Sequence, residues 1–198
     1  MKLVVLGDSI AAGTYTGKND TCPASKARTF GSIIAEKLGY ELVNKAVNGI
    51  SYKCGGSVNP DYSVINQEKN APDCDMLIIS AGTNDFGINI PVGTESDFGD
   101  VSFSGAVELV FKTIYKTRPQ TKVVIVTPYG RAQEVNDVGA SLDEYRKILA
   151  DKANKYGFTV INGKEIPLKS QMLFDGLHPD DEGHKLIAEY ILKQLKEN

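Results

Sequence analysis

The stretch that most constrains the fold is Lys2 to Ser9, a short apolar run that ends directly in a polar turn. Lys2 to Leu6 is a short apolar run with β-branched residues at its centre, which is typical of a strand buried on both faces. Gly7 stops the run, and Asp8 and Ser9 follow without a spacer. A hydroxyl at the carboxyl end of the first strand of an α/β sheet lies at the crevice where such sheets bind ligands, so Ser9 is a candidate nucleophile. Taken alone, the same residues also suit the cap of a following helix.

The rest of the chain alternates similar strands with helical patterns. Further strands are predicted at 41–47, 75–80, 122–127 and 158–161, and helices at 29–38, 107–115, 141–156 and from 180 or 181 onward, with a weaker helical pattern at 62–70. Strands that are apolar throughout and separated by helices predict a parallel sheet covered on both faces, a three-layer α/β/α sandwich of about five strands. The 198 residues fit one domain, with long loops at 10–28 and 86–103.

Composition excludes several classes of protein. The net charge of -3 and the absence of a basic face argue against a nucleic-acid partner. No stretch approaches the roughly 20 apolar residues of a membrane span, and no signal peptide precedes the first strand, so a cytoplasmic location is expected, although a mature secreted form would look the same. Cys22, Cys54 and Cys74 lack metal-type spacing and are expected to be free thiols, with a Cys22–Cys54 disulfide as the alternative.

The loops that follow the strands carry the groups needed for ester hydrolysis. His178 can take the proton of Ser9, and Asp175, three residues earlier, can orient the imidazole through its other nitrogen. The backbone N–H groups of Ser9 and Gly49 and the side-chain amide of Asn84 can stabilise an oxyanion, provided that their three strands are neighbours.

These residues stand in four blocks that resemble the GDSL or SGNH hydrolase family. The blocks are Gly7-Asp8-Ser9, Gly49, Gly82-Thr83-Asn84-Asp85 and Asp175-Gly176-Leu177-His178-Pro179, in the expected order over nearly the whole chain. The resemblance implies a flavodoxin-like parallel sheet, hydrolysis of an acyl ester through an acyl-enzyme without metal or cofactor, and a supporting role for Asp85 in its turn. Gly55-Gly56 is an alternative position for the second block.

Six residues of the rim loops are candidates to contact substrate: Asp8, Tyr15, Tyr52, Asp85, Phe86 and Tyr129. For the aromatic ones, local packing is the competing interpretation. Arg131 either attracts an anionic substrate group or is a solvated charge, and His184, inside the last helix, is expected to pack or to face solvent.

Three functions remain open at this point. The polar, glycine-rich loops favour a short acyl group, such as acetate on a carbohydrate, over the longer chain of a lysophospholipase or thioesterase substrate. A non-catalytic flavodoxin-like binding module is the alternative from a different class, although no G-x-G-x-x-G or G-x-x-x-x-G-K-[ST] motif is present. The oligomeric state is not constrained.

Overall fold

A computed structural model describes residues 1–14, 28–54 and 62–197. Tyr15, Cys22 and the pair Gly55-Gly56 lie outside the described residues, as does most of the predicted loop 10–28.

Five parallel strands form a single sheet with the order β2-β1-β3-β4-β5. The strands are β1 (Lys2–Gly7), β2 (Glu41–Asn44), β3 (Met76–Ser80), β4 (Lys122–Val126) and β5 (Thr159–Ile161). The strand that comes first in the sequence therefore lies inside the sheet, between β2 and β3. The predicted parallel α/β sheet is confirmed.

Helices connect the strands and cover both faces of the sheet. They are α1 (Ser9–Ala12), α2 (Phe30–Leu38), α3 (Val64–Lys69), α4 (Thr83–Gly87), α5 (Phe103–Thr117), α6 (Leu142–Lys155) and α7 (Asp181–Glu197). Two 3-10 turns, Gly163–Glu165 and Ser170–Met172, lie between β5 and α7.

Each face of the sheet has its own core, because successive side chains of a strand point to opposite sides. In β1, Leu3 and Val5 pack with buried residues of α2 and α7, whereas Val4 and Leu6 pack with those of α3, α5 and α6. The result is three layers, with α1, α2 and α7 contributing to the core on one side of the sheet and α3, α4, α5 and α6 to the core on the other.

Local sequence signals account for several element ends. Thr29 caps α2 by accepting a hydrogen bond from the Ser32 N–H at 3.2 Å, and Gly39 ends that helix with a φ of 68°, in the left-handed region that suits glycine. The predicted capping box of α6 is present, since the Glu144 carboxylate accepts from the Ser141 N–H at 2.7 Å.

Three boundaries differ from the prediction. Strand β2 ends at Asn44 and not at residue 47, although the Val47 N–H still donates to the Gly7 carbonyl at 2.9 Å. Beside this end, the Asn44 side chain donates to the Ala11 carbonyl at 2.9 Å and accepts from the Ala46 N–H at 3.0 Å. Helix α4 is too short for its period to be visible in the sequence. Helix α5 begins at Phe103, earlier than predicted, because Ser102 caps it by accepting from the Gly105 N–H.

Two further observations concern the described part of the chain. Cys54 and Cys74 are free thiols. None of the described helices has the length and apolar character needed to cross a membrane.

Candidate active site

The carboxyl end of β1 is the centre of the candidate site. Because β1 lies between β2 and β3, the turn that carries Ser9 is flanked by the turns that follow those two strands. Backbone hydrogen bonds tie the three together: the Val47 N–H donates to the Gly7 carbonyl at 2.9 Å, and the Asp8 N–H donates to the Ser80 carbonyl at 3.3 Å. The expectation that the strands before Ser9, Gly49 and Asn84 are neighbours is confirmed.

The turn before Ser9 leaves no room for a side chain at residue 7. Gly7 has a φ of 156°, and a Cβ at this position would lie 2.3 Å from the Ser80 carbonyl oxygen. Asp8 then caps the short helix α1 by accepting from the Ile10 N–H at 2.9 Å. The capping role that the sequence suggested therefore belongs to Asp8, and Ser9 is the first residue of the helix, where backbone N–H groups have no acceptor within the helix.

Ser9, His178 and Asp175 form one continuous chain of polar contacts. The Ser9 Oγ lies 2.8 Å from His178 Nε2, and His178 Nδ1 lies 2.6 Å from Asp175 Oδ2. A carboxylate only accepts hydrogen bonds, so the imidazole proton resides on Nδ1 and leaves Nε2 free to accept from the Ser9 hydroxyl. This is the tautomer that removal of a proton from the serine requires.

The turn from Leu173 to Pro179 fixes the carboxylate. Asp175 Oδ1 accepts from the N–H groups of Leu177 at 3.0 Å and His178 at 2.8 Å, while the Phe174 N–H closes the turn on the His178 carbonyl at 2.9 Å. Partial burial opposes ionisation of Asp175, but the His178 backbone and ring together with the Leu177 N–H hold its pKa below the usual range. The Asp175 carboxyl group is therefore ionised at neutral pH, where it can accept the hydrogen bond from the imidazole.

Gly49 and Asn84 lie at the same edge of the sheet as Ser9. Gly49 has a φ of 74° in a turn closed by the Ile50 N–H on the Val47 carbonyl at 3.4 Å. The Asn84 Nδ2 donates one hydrogen to the Ile50 carbonyl at 2.8 Å, which leaves its second hydrogen for another acceptor. One hydrogen bond thus joins the Asn84 turn to the residue that follows Gly49.

The other candidate contact residues in the described part of the chain are buried. Asp8, Tyr52, Asp85, Phe86 and Tyr129 are at most 5% exposed. A side chain with so little exposed surface cannot provide a pocket wall, so the expected direct contact with substrate is corrected to a supporting position beneath the rim. The aromatic residues illustrate the reason, because Tyr52 packs edge-on against Phe103 with 5.7 Å between ring centroids.

Two buried carboxyl groups, those of Asp8 and Asp85, stabilise the turns of the site by hydrogen bonds. Asp85 accepts from the N–H groups of Tyr52 at 2.9 Å and Lys53 at 3.0 Å, and so fixes the segment that follows Gly49. Burial raises the pKa of Asp85 to about 7 against these hydrogen bonds, and it raises the pKa of Asp8 to about 6. The proposed supporting role of Asp85 fits these contacts.

His184 has a packing role. It is 1% exposed and its Nδ1 accepts from the Phe30 N–H at 3.3 Å, which attaches α7 to the start of α2. Burial lowers its pKa to about 4, so the ring stays neutral near pH 7. Of the two expected environments, packing and solvent, the structure shows packing.

Sequence reasoning missed Gln67 of α3. Its Oε1 accepts from the Gly7 N–H at 2.9 Å and its Nε2 donates to the Gly7 carbonyl at 3.0 Å. The amide thus bonds both backbone groups of Gly7 at the end of β1, and the Gly7 carbonyl also accepts from the Val47 N–H. No local signal identifies such a contact, since its partner lies 60 residues away.

Residues 5–186 match the model of the GDSL-like lipase/acylhydrolase family. Among solved structures, a protein from Lactobacillus plantarum is similar with a TM-score of 0.86 and 19% identity, covering 100% of this chain and 97% of that one. A provisionally assigned GDSL-like lipase from Bacteroides ovatus is similar with a TM-score of 0.76 and 19% identity, covering 100% and 99%.

The inhibitor-bound aryl esterase of M. smegmatis is also similar, with a TM-score of 0.78, 13% identity, and coverage of 100% of this chain and 99% of that one. At these identities, the three structures share the fold of this chain. No curated protein matches the sequence.

Proposed function

The chain belongs to the GDSL-like lipase/acylhydrolase family and is an ester-hydrolysing enzyme, and from this premise we propose that Ser9 is its nucleophile. His178 acts as general base and acid, and Asp175 orients it. The observation that carries the proposal is the unbroken series of contacts from Ser9 Oγ to His178 Nε2 and from His178 Nδ1 to Asp175.

The proposed reaction has two halves. In the first, Ser9 Oγ attacks the ester carbonyl carbon and its proton passes to His178 Nε2, giving a tetrahedral oxyanion. The C–O bond to the alcohol then breaks, and the same proton goes to the departing alkoxide. In the second half, water attacks the acyl-enzyme, His178 takes the water proton and returns it to Ser9, and the carboxylic acid leaves.

The oxyanion needs donors that are already in place. We assign the backbone N–H groups of Ser9 and Gly49 and the second Nδ2 hydrogen of Asn84 to this role. The assignment is supported by the shared edge of the sheet and by the hydrogen bond from Asn84 to Ile50, which holds its amide beside the Gly49 turn. Fixed donors of this kind contribute about 3–4 kcal/mol each to the transition state in other hydrolases.

The preferred substrate is an ester of a short acyl group, such as an acetylated carbohydrate. The polar, glycine-rich composition of the loops at 10–28 and 86–103 supports it. A longer acyl chain is the second candidate, favoured by the exposed side chains of Ile88, Phe98 and Val101. A series of p-nitrophenyl esters from acetyl to octanoyl separates the two, because activity that rises with chain length would contradict the short-chain assignment.

Ser9→Ala tests the nucleophile, with Ser96→Ala as the matched control at an exposed serine. We expect Ser9→Ala to lower kcat for p-nitrophenyl acetate by about four to six orders of magnitude, because members of a triad act as a unit. A fluorophosphonate probe should label the wild type and Ser96→Ala but not Ser9→Ala. Wild-type turnover in Ser9→Ala would refute the assignment, and a protein that resists the probe would favour the non-catalytic binding module.

A further inference from the structure

Arg131 differs from the other three arginines of the chain, all of which lie in the described residues. Each of the others forms an ion pair with a carboxylate: Arg28 with Glu36, Arg118 with Glu68, and Arg146 with Glu134 and Asp143. No ion pair of Arg131 occurs within the described residues, although its side chain is partly buried. A half-buried guanidinium without a counter-ion is unusual, because taking it out of water has to be compensated.

The nearest carboxylate on its own loop is already in use. Glu134 accepts from the Arg131 backbone N–H at 3.1 Å, but its two carboxylate oxygens lie 2.6 and 3.0 Å from the Arg146 guanidinium. Glu134 therefore holds the loop in place through the Arg131 backbone and forms its ion pair with Arg146.

The guanidinium is held in a defined orientation. Its Nη1 donates to Thr83 Oγ1 at 3.2 Å, and its central carbon lies 5.3 Å from the centroid of the Phe86 ring. A guanidinium presents five N–H donors in a rigid plane. The contact with Thr83 uses one of them, so a fork of donors is left for a further acceptor.

The position of Arg131 connects it to the reacting groups. Thr83 directly precedes Asn84, the proposed oxyanion donor. On the other side, the Ala132 N–H donates to the carbonyl of Gly176, inside the turn that carries Asp175 and His178, at 3.3 Å. Burial lowers the pKa of Arg131, and the charges of Glu134 and Asp175 offset this, so the group remains a cation at the edge of the site.

We propose that Arg131 is a specificity residue that binds an anionic oxygen group, a carboxylate or a phosphate, of the ester substrate. The inference rests on the proposed function, because the anionic group belongs to an ester that is held at Ser9. A planar fork fixed against an aromatic face suits a two-oxygen anion, which can accept two parallel hydrogen bonds.

Two pairs of esters of similar shape test the proposal and locate the charge. For a charge on the alcohol side, 4-acetoxybenzoate is compared with 4-acetoxybenzamide. For a charge on the acyl side, the mono-p-nitrophenyl ester of adipic acid is compared with p-nitrophenyl hexanoate. The measured quantity is the ratio of kcat/KM for the charged ester to that for its neutral partner, in wild type, Arg131→Gln, Arg131→Lys and Lys193→Gln.

We expect at least one pair to show a ratio that falls about tenfold or more in Arg131→Gln, the effect of losing one charge-assisted hydrogen bond. Arg131→Lys should retain part of the preference, and Lys193→Gln, which removes an exposed charge of α7, should retain all of it. The ratio cancels any general loss of activity in a variant. The pair that responds identifies the side of the ester that carries the anion.

Ratios that are unchanged in Arg131→Gln for both pairs would overturn the proposal, as would an equal fall in Lys193→Gln. Failure of the proposed function has a different signature. In that case the wild type hydrolyses neither the neutral nor the charged esters, or Ser9→Ala hydrolyses them as fast as the wild type.

Discussion

Replacement of Gln67 by Leu tests whether the hydrogen bonds between its side chain and Gly7 support the turn that carries Ser9. Gln67→Leu keeps the volume and removes both hydrogen bonds to Gly7, two residues before Ser9. The Gly7 carbonyl retains the Val47 N–H at 2.9 Å, so only the Gly7 N–H loses its partner.

The structure sets the size of the effect. A buried N–H without an acceptor costs about 1–3 kcal/mol, and a chain of this length loses about 2–4 °C of Tm per kcal/mol. We therefore expect the Tm of Gln67→Leu to fall by about 2–12 °C. We also expect kcat to fall by about tenfold or more with little change in KM. A small displacement of Ser9, the proposed nucleophile, reduces stabilisation of the transition state more than it reduces binding of the substrate.

Gln67→Glu adds a pH-dependent arm to the same test. One carboxyl oxygen can still accept from the Gly7 N–H, while the other replaces a donor that lies 3.0 Å from the Gly7 carbonyl. Repulsion from that carbonyl raises the pKa of the introduced carboxyl, so its contribution to stability is present at low pH and is lost as the pH rises through the folded-state pKa. The Tm deficit relative to wild type should therefore be larger at pH 8 than at pH 5.

Differential scanning calorimetry and steady-state kinetics provide the measurements, with Gln120→Leu as the control at an exposed glutamine. If Gln67→Leu matches Gln120→Leu in both Tm and kcat, the amide does not support the nucleophile turn. A Gln67→Glu deficit that does not change with pH would refute the geometry of the two hydrogen bonds.

Two further changes probe buried charges. Asp8→Asn keeps the cap on the Ile10 N–H and removes a carboxyl group whose pKa burial raises to about 6. Because ionisation of such a buried group destabilises the wild type, the free energy of unfolding of the variant should gain up to about 3 kcal/mol over that of the wild type between pH 4 and pH 8. Urea unfolding measures this, and a difference that does not change with pH would contradict it. Glu108→Ala removes the carboxylate that lies 3.1 Å from the buried ammonium of Lys152, and it should lower the free energy of unfolding by about 3–5 kcal/mol at pH 7. The double variant Glu108→Ala, Lys152→Met should recover part of this loss. A single variant as stable as the wild type would count against the ion pair.

The sequence was sufficient for the parts of the molecule that depend on local chemistry. Apolar runs predicted β1, β3 and β4, since a strand buried on both faces has few polar residues. The edge strands β2 and β5, which are less buried, were also predicted, although the end of β2 was placed three residues too late. Ser9 was predicted as a candidate because it stands in a polar turn directly after an apolar run. Asp175 and His178 were predicted because they stand three residues apart in a polar connector. The fold then brings Ser9 to 2.8 Å from His178 across 169 residues of chain, although His178 follows the edge strand β5.

Burial and long-range contacts were less accessible to prediction. Tyr52, Phe86 and Tyr129 follow turns at the rim, yet all three are buried. Tyr52 and Phe86 lie in the core that α5 and α6 cover, and Tyr129 lies in the core that α2 and α7 cover. Gln67 gave no signal, because an amide in a weakly periodic helix is equally compatible with solvent.

The distance along the chain between Ser9 and His178 also matters while the protein is being made. Ser9 emerges from the ribosome 169 residues before His178, a delay on the order of ten to thirty seconds at usual rates of translation. During that time, the nascent chain carries the proposed nucleophile without the proposed base. The imidazole arrives directly before α7, whose buried face docks on the same core as α2. Hydrolysis of an ester by a newly made chain would therefore report that the segment after β5 has emerged and docked.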